Sequence, residues 1–217
     1  REQLQVARGE VDGVVVERVH RDDLYFDRWD KGYHPGVSAA WDAFLDRHRP
    51  QVVHLHHWIR LSTDLVAVAA MHGVPTVITA HDLYPSCPRV FRLVGDDGDQ
   101  ACERPMGPEP CTGCVPRWRF QSDAEIARLV GVYRADMRAE LALSRVVIAP
   151  TAGHGEFLRR MLDFAAVPIR NIPHGTLAPV IRRPVPEPAA ARLEVACWSH
   201  LHPLKGAHVL LAAARRS

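Results

Sequence analysis

Apolar residues gather first in GVVVERV (13–19) and again in VVHLHH (52–57). Both runs read as strands, the second an apolar stretch of the kind buried in a parallel sheet. Between them Val37, Trp41, Phe44, Leu45 and His48 recur at helical spacing, and Pro50 is expected to stop that helix. The alternation then continues. A helix is expected from about Thr63 to Met71, followed by a Gly-Val-Pro turn and the strand TVITA (76–80). Ser122 and Glu125 form a capping box ahead of a long amphipathic helix with Ile126, Leu129, Val130, Tyr133, Met137 and Leu141 on one face. RVVIAP (145–150) is the next strand, and Thr151 is a candidate N-cap. Phe157, Leu158, Met161 and Leu162 mark the face of the following helix, and IRNIP (169–173) is a further short strand. Strands alternating with helices predict an α/β fold, a doubly wound parallel sheet of Rossmann-like type, over residues 1–175.

Between residues 176 and 192 the chain turns rich in Pro, Ala and Arg, a composition that reads as an interdomain linker. LEVACW (193–198) then opens a new strand and GAHVLLAAARR (206–216) a new helix, so residues 193–217 read as the beginning of a second, incomplete α/β unit.

Composition narrows the function classes. A chain of 217 residues with 47% hydrophobic and 24% charged residues excludes disorder, collagen and coiled coil. The net charge of +2, from 27 Lys+Arg against 25 Asp+Glu, gives no bulk electrostatic reason to bind nucleic acid or an anionic membrane. At most peripheral membrane contact is expected, since apolar runs such as 65–71 fall far short of the ~20 residues a span needs. The opening REQLQVARGE has no apolar signal-like core and Arg1 is not an initiator Met, so the numbering is expected to start inside a longer, cytoplasmic gene product.

The candidate chemistry lies mostly at strand ends. His54, His56 and His57 close one strand, His81 closes the next, His174 follows IRNIP and His200 follows LEVACW. Open parallel sheets bind ligands at the carboxyl ends of their strands, so these histidines crowd the functional edge. Taken singly, any of them reads as a ring that hydrogen-bonds neighbouring backbone. In TAHDLYPSCPR (79–89) His81 can serve as acid, base or hydrogen-bond donor, with Asp82 orienting it, meeting a sugar hydroxyl or capping the loop.

The loop over 84–118 is long for a compact domain and holds Cys87, Cys102, Cys111 and Cys114, spaced by fourteen, eight and two residues. Thiolates two residues apart can take neighbouring corners of a tetrahedron, so a closed structural zinc site is expected there, with free or partly oxidised thiols as the alternative. Such a site has no open position and would be a staple, not a catalytic metal. Finally, SHLHPLKGAHVLL (199–211) places Lys205 and Gly206 at a helix N-terminus, an anion site suited to a diphosphate.

Together RPQVVHLHHW, GVPTVITAHDLYPSCPR, RVVIAPT, NIPHG and SHLHPLKGAHVLLAA resemble, in order and spacing, glycosyltransferase family 4 of the GT-B enzymes. The resemblance runs from about Gly36 onward. It implies two Rossmann-like domains facing a cleft, the N-terminal one binding acceptor and the C-terminal one a nucleotide-sugar, and a retaining reaction that needs no catalytic metal. By position His81 falls at the family's His near the transferring sugar. His174 and Gly175 fall on its junction turn, and Lys205 with Gly206 on its diphosphate grip. His54, His56 and His57 would lie on the acceptor side. Two departures stand out: the Gly-Arg pair that precedes the family lysine is replaced by Ser199 and His200, and neither the Gly-rich first loop nor the acidic C-terminal motif is present. The first strand or strands are thus expected to be missing and the 217 residues alone to be inactive. Two other classes remain open, a metal-dependent hydrolase using His54, His56, His81 and Asp82, and a non-catalytic zinc-stapled domain.

Overall fold

The computed structural model describes residues 4–23, 28–94, 100–162, 168–175, 195–198 and 205–215. They fall into two compact units, one of residues 1–93 and 101–174, the other of 94–100 and 175–217.

The first unit begins with a hairpin. β1 (Leu4–Val11) pairs antiparallel with β2 (Val14–Arg21), with Val11 opposite Val14. Asp12 and Gly13 between them have φ of 52° and 78°, the two left-handed residues that a tight hairpin turn matching the strand twist requires. The run 13–19, read as the strand opening a strand–helix–strand unit, therefore belongs to a separate two-stranded sheet. The reason lies in the polar residues of β2: Glu17, Arg18, His20 and Arg21 make up half of it, which suits a strand of a solvated antiparallel pair and not one covered on both faces.

The remaining elements follow the expected alternation. α1 (Pro35–His48) starts where His34 Nδ1 accepts the Val37 N–H at 3.1 Å, and it stops at Arg49, which adopts a left-handed conformation. Then come β3 (Val53–Leu55), α2 (Leu65–Met71), β4 (Thr76–Thr79), α3 (Asp123–Leu143), β5 (Val146–Ala149), α4 (Ala152–Leu162) and β6 (Ile169–Asn171). The four strands form one parallel sheet in the order β3–β4–β5–β6. Ser122 Oγ caps α3 by accepting from Glu125 N–H, and Thr151 Oγ1 accepts from His154 N–H at the start of α4. Gly155 lets α4 approach β6, since a Cβ there would lie 3.0 Å from Ile169 Cγ2.

The core is formed by Leu55, Ile78 and Val147 of the sheet against Val66 of α2, Ile126, Val130 and Met137 of α3, and Leu158 of α4. Each such side chain contributes about 1.5–3 kcal/mol by leaving water. One member of this interior is a carboxylate. Glu140 of α3 is 1% exposed and accepts from the backbone N–H groups of Val66 and Ala67 and from Trp58 Nε1 at 2.7–2.9 Å. It thereby caps α2 from outside and ties down the segment after His57. Burial pushes its carboxyl up to about 7, against the three donors.

In the second unit α5 (Ala207–Ala214) forms as expected, with Gly206 at φ 72° before it. Val195–Trp198, expected within a strand, lies in no β-ladder among the described residues; a lone strand without a paired neighbour has no partner for its backbone groups. The linker and His200 lie outside the described residues.

Candidate functional site

The parallel register is what assembles the site. Val53 lies opposite Thr76 and Leu55 opposite Ile78, so the residues that run on beyond β3 and β4 emerge side by side at the carboxyl edge. His54 Nε2 lies 2.8 Å from Thr79 Oγ1, His56 Nδ1 lies 2.8 Å from His81 Nε2, and His57 Nε2 lies 3.2 Å from Asp82 Oδ2. Four imidazoles form a row, with ring centroids of His54 and His56 4.2 Å apart, His56 and His81 5.1 Å, and His81 and His174 5.2 Å. His174 reaches the row because β6 is parallel to the other strands and its chain leaves at the same edge.

The expected pairing of His81 with Asp82 differs from what is found. Asp82 faces the other way: Oδ1 accepts the Tyr84 N–H at 2.9 Å and Oδ2 meets His57. His57 Nδ1 accepts the Ile59 N–H, so in the neutral ring its hydrogen sits on Nε2 and points at the carboxylate. Burial raises the Asp82 carboxyl, but the His57 and Tyr84 hydrogen bonds outweigh it and hold the group below the usual carboxylate range. Burial lowers His81, and the neighbouring rings of His56 and His174 lower it further while Asp82 opposes them. Burial and His56 lower His54 likewise. Like charges this close oppose one another, and His54 and His81 are accordingly biased toward their neutral forms.

One site residue escapes the sequence reading. His154, in the first turn of α4, donates from Nε2 to the Asp82 carbonyl oxygen at 3.0 Å, and burial lowers its pKa. The signal was its place, three residues after the Thr151 cap and so at the same edge as the strand ends. Beneath the row, Tyr84 is buried with its hydroxyl pushed up to about 12 by burial, and its carbonyl accepts the Tyr133 hydroxyl at 2.6 Å. A mostly apolar cavity of about 490 Å³ lies beside β3, bounded by Val15 and Val19 of the hairpin, Trp41 and Phe44 of α1, and His54 and His56.

The cysteine loop is built differently. Cys87, Cys102, Cys111 and Cys114 are free and half-buried. Burial raises Cys111, and the thiols of Cys102 and Cys114 lie near enough to raise it further; Cys87 is raised by burial, partly offset by Arg92. Among the described residues, however, no three His, Cys, Asp or Glu side chains are arranged to hold a metal ion. What visibly holds the loop is Arg92, 3% exposed and with φ of 51°, whose guanidinium donates to the carbonyl oxygens of Ser86, Cys102 and Arg104.

Of the other expected site residues, Gly175, Lys205 and Gly206 belong to the second unit. There Lys205 precedes α5, whose N-cap Gly206 makes no side-chain cap. No helix among the described residues is long and apolar enough to cross a membrane. No curated protein and no solved structure matches the chain. Over residues 3–176, which take in the parallel sheet, the histidine row and the cysteine loop, the chain matches the Glycosyltransferase Family 4 model, and it belongs to that family.

Proposed function

We propose that the protein transfers a sugar from a nucleotide-sugar donor to an acceptor with retention of configuration, and that His81 touches the transferring sugar. The observation that carries this reading is the row of His54, His56, His81 and His174 at the carboxyl edge of a parallel sheet in a glycosyltransferase family 4 chain. Neutral imidazoles suit the task. They offer a ring nitrogen to a sugar hydroxyl, or take a proton from one, without repelling the positive charge that builds on the anomeric carbon. Asp82 holds His57 and closes the turn at Tyr84, and its remaining carboxylate capacity is available to a hydroxyl. On the donor side, charge released to the diphosphate leaving group meets the Lys205 ammonium and the amides of the first turn of α5, which no side chain caps. The cysteine loop is proposed to bind one structural zinc. Its four thiols are the right donor set, and closing around an ion requires them to draw together from their present arrangement.

Incubating the complete gene product with a panel of UDP-, GDP-, ADP- and dTDP-sugars and assaying nucleoside diphosphate release, followed by NMR of the new glycosidic linkage, tests the reading. Release that depends on His81, with the anomeric configuration kept, is expected. Inversion overturns retention, and turnover unaffected by His81→Ala removes that residue from the site.

A further inference from the structure

His81 offers two ring nitrogens, and they are not equivalent. Nε2 is taken up by His56 Nδ1 at 2.8 Å, while no hydrogen bond to Nδ1 is found among the described residues. A bond between two imidazole nitrogens uses one hydrogen, so one ring donates and the other accepts, and the tautomer of each depends on its partner. The carboxylate next to His81 in the chain does not do this: the hydrogen bonds of Asp82 go to His57 and the Tyr84 N–H. His56 is itself held: its ring lies 4.2 Å from His54, and His54 is tethered to Thr79 Oγ1. On the far side His174 stacks on His81 at 12° between ring planes, a contact that confines tilt without fixing which nitrogen points outward.

We propose that His56 is the positioning residue for His81: through the Nδ1···Nε2 hydrogen bond it sets the ring orientation and tautomer of His81, leaving Nδ1 as the atom presented to the reacting sugar. The proposal rests on the glycosyl-transfer reading of the site and adds to it a residue that need not touch either substrate. The charged and titratable groups facing His81 are His56 and His57 after β3, His174 after β6, and Asp82 beside it. Three of these four are potential cations and the carboxylate is committed to His57, so His56 also helps hold His81 in its neutral form.

The test compares the parent with His56→Asn, whose amide keeps a hydrogen-bonding atom near the Nδ1 position, and His56→Ala, which has none. Long-range ¹H–¹⁵N NMR of the imidazoles, read without any substrate, should show a single His81 tautomer in the parent and in His56→Asn, and a mixture in His56→Ala. With whichever nucleotide-sugar the parent turns over, His56→Ala should lose kcat by about 10²-fold at nearly constant KM, the cost of a misplaced catalytic group. His56→Asn should recover to within about 5-fold of the parent, the margin expected when the geometry is kept. In both variants the acid limb of the kcat profile should move to higher pH, because the ring charge that lowers His81 is gone. A single His81 tautomer persisting in His56→Ala overturns the proposal, as does an Asn variant as impaired as the Ala variant. If His56→Ala does not fold, a mixed His81 tautomer in His56→Asn overturns it alone. A complete gene product that turns over no donor defeats the glycosyl-transfer reading instead, and the NMR comparison still decides the role of His56.

Discussion

The histidine row and the cysteine loop are both dense in metal-capable, reactive side chains, and both gather around the chain that leaves β4, yet they are held by opposite means. The row hangs from the ends of three parallel strands, so its spacing is set by a rigid ladder and its rings stack within 4.2–5.2 Å of each other. Among its described residues the loop has a 3-10 turn, Tyr84–Ser86, a helical turn, Pro108–Cys111, and one short strand pair, Leu93–Val94 with Gln100–Ala101, and the buried Arg92 guanidinium collects three of its carbonyl groups. A sheet edge presents groups to a ligand; a loop of this kind must first hold itself together. Chemistry should therefore depend on the first region and stability on the second.

The largest effect expected is on the loop. With zinc bound, elemental analysis should find about one zinc per chain, and Cys111→Ser should lower stability by several kcal/mol because structural zinc contributes folding energy directly. Less than about 0.2 zinc per chain, with four titratable thiols, would leave the loop to Arg92 alone. Arg92→Leu should cost about 2–4 kcal/mol in chemical denaturation, since three carbonyls lose their donor, that of Ser86 in a buried place and those of Cys102 and Arg104 in partly buried ones. A change under about 1 kcal/mol would mean that those carbonyls find water, and the contrast between the two regions would fail.

His81→Ala should do the reverse. Its kcat should fall by about 10²-fold or more while its melting temperature stays near the parent's. A variant that melts normally and turns over within about 3-fold of the parent would move the role to His54, His56 or His57. Lys205→Ala tests the other unit: losing a charge-assisted contact should weaken nucleotide-sugar binding by about 1.5–3 kcal/mol in calorimetry, and unchanged affinity would exclude it from the diphosphate site.

The smallest effects are in pH dependence, and two carboxylates give opposite signs. Asp82 has a folded pKa below its unfolded one, so its contribution is present above the ordinary carboxylate range and is lost as pH falls through the folded value. Glu140, raised to about 7, binds its proton more tightly when folded; its contribution is full in acid and declines as pH rises from the ordinary carboxylate value through 7. Glu140→Gln should flatten that decline in denaturation curves taken between about pH 5 and 8, the window in which such linkage operates.

The sequence by itself determined the succession of the main strands and helices from α1 to β6, the two side-chain caps at Ser122 and Thr151, the place of His81 just past the end of β4, and a long cysteine-bearing loop after it. These are local properties: period, caps and breakers act over a few residues and can be read along a line. The Asp-Gly turn of the first hairpin was equally local, though β1 has too few apolar residues to announce itself. Only the tertiary structure decided which ring meets which. His54 with Thr79, His56 with His81 and His57 with Asp82 are each 25 residues apart, one constant offset that places each partner two residues beyond the position the β3–β4 register, offset by 23, sets opposite it. That offset depends on how α2 packs beneath the sheet, and α2 is itself capped by Glu140 from a helix some 70 residues away. The same holds for Arg92 and His154, whose partners are backbone carbonyls: any residue carries such a group, so no pattern of side chains could mark them beforehand.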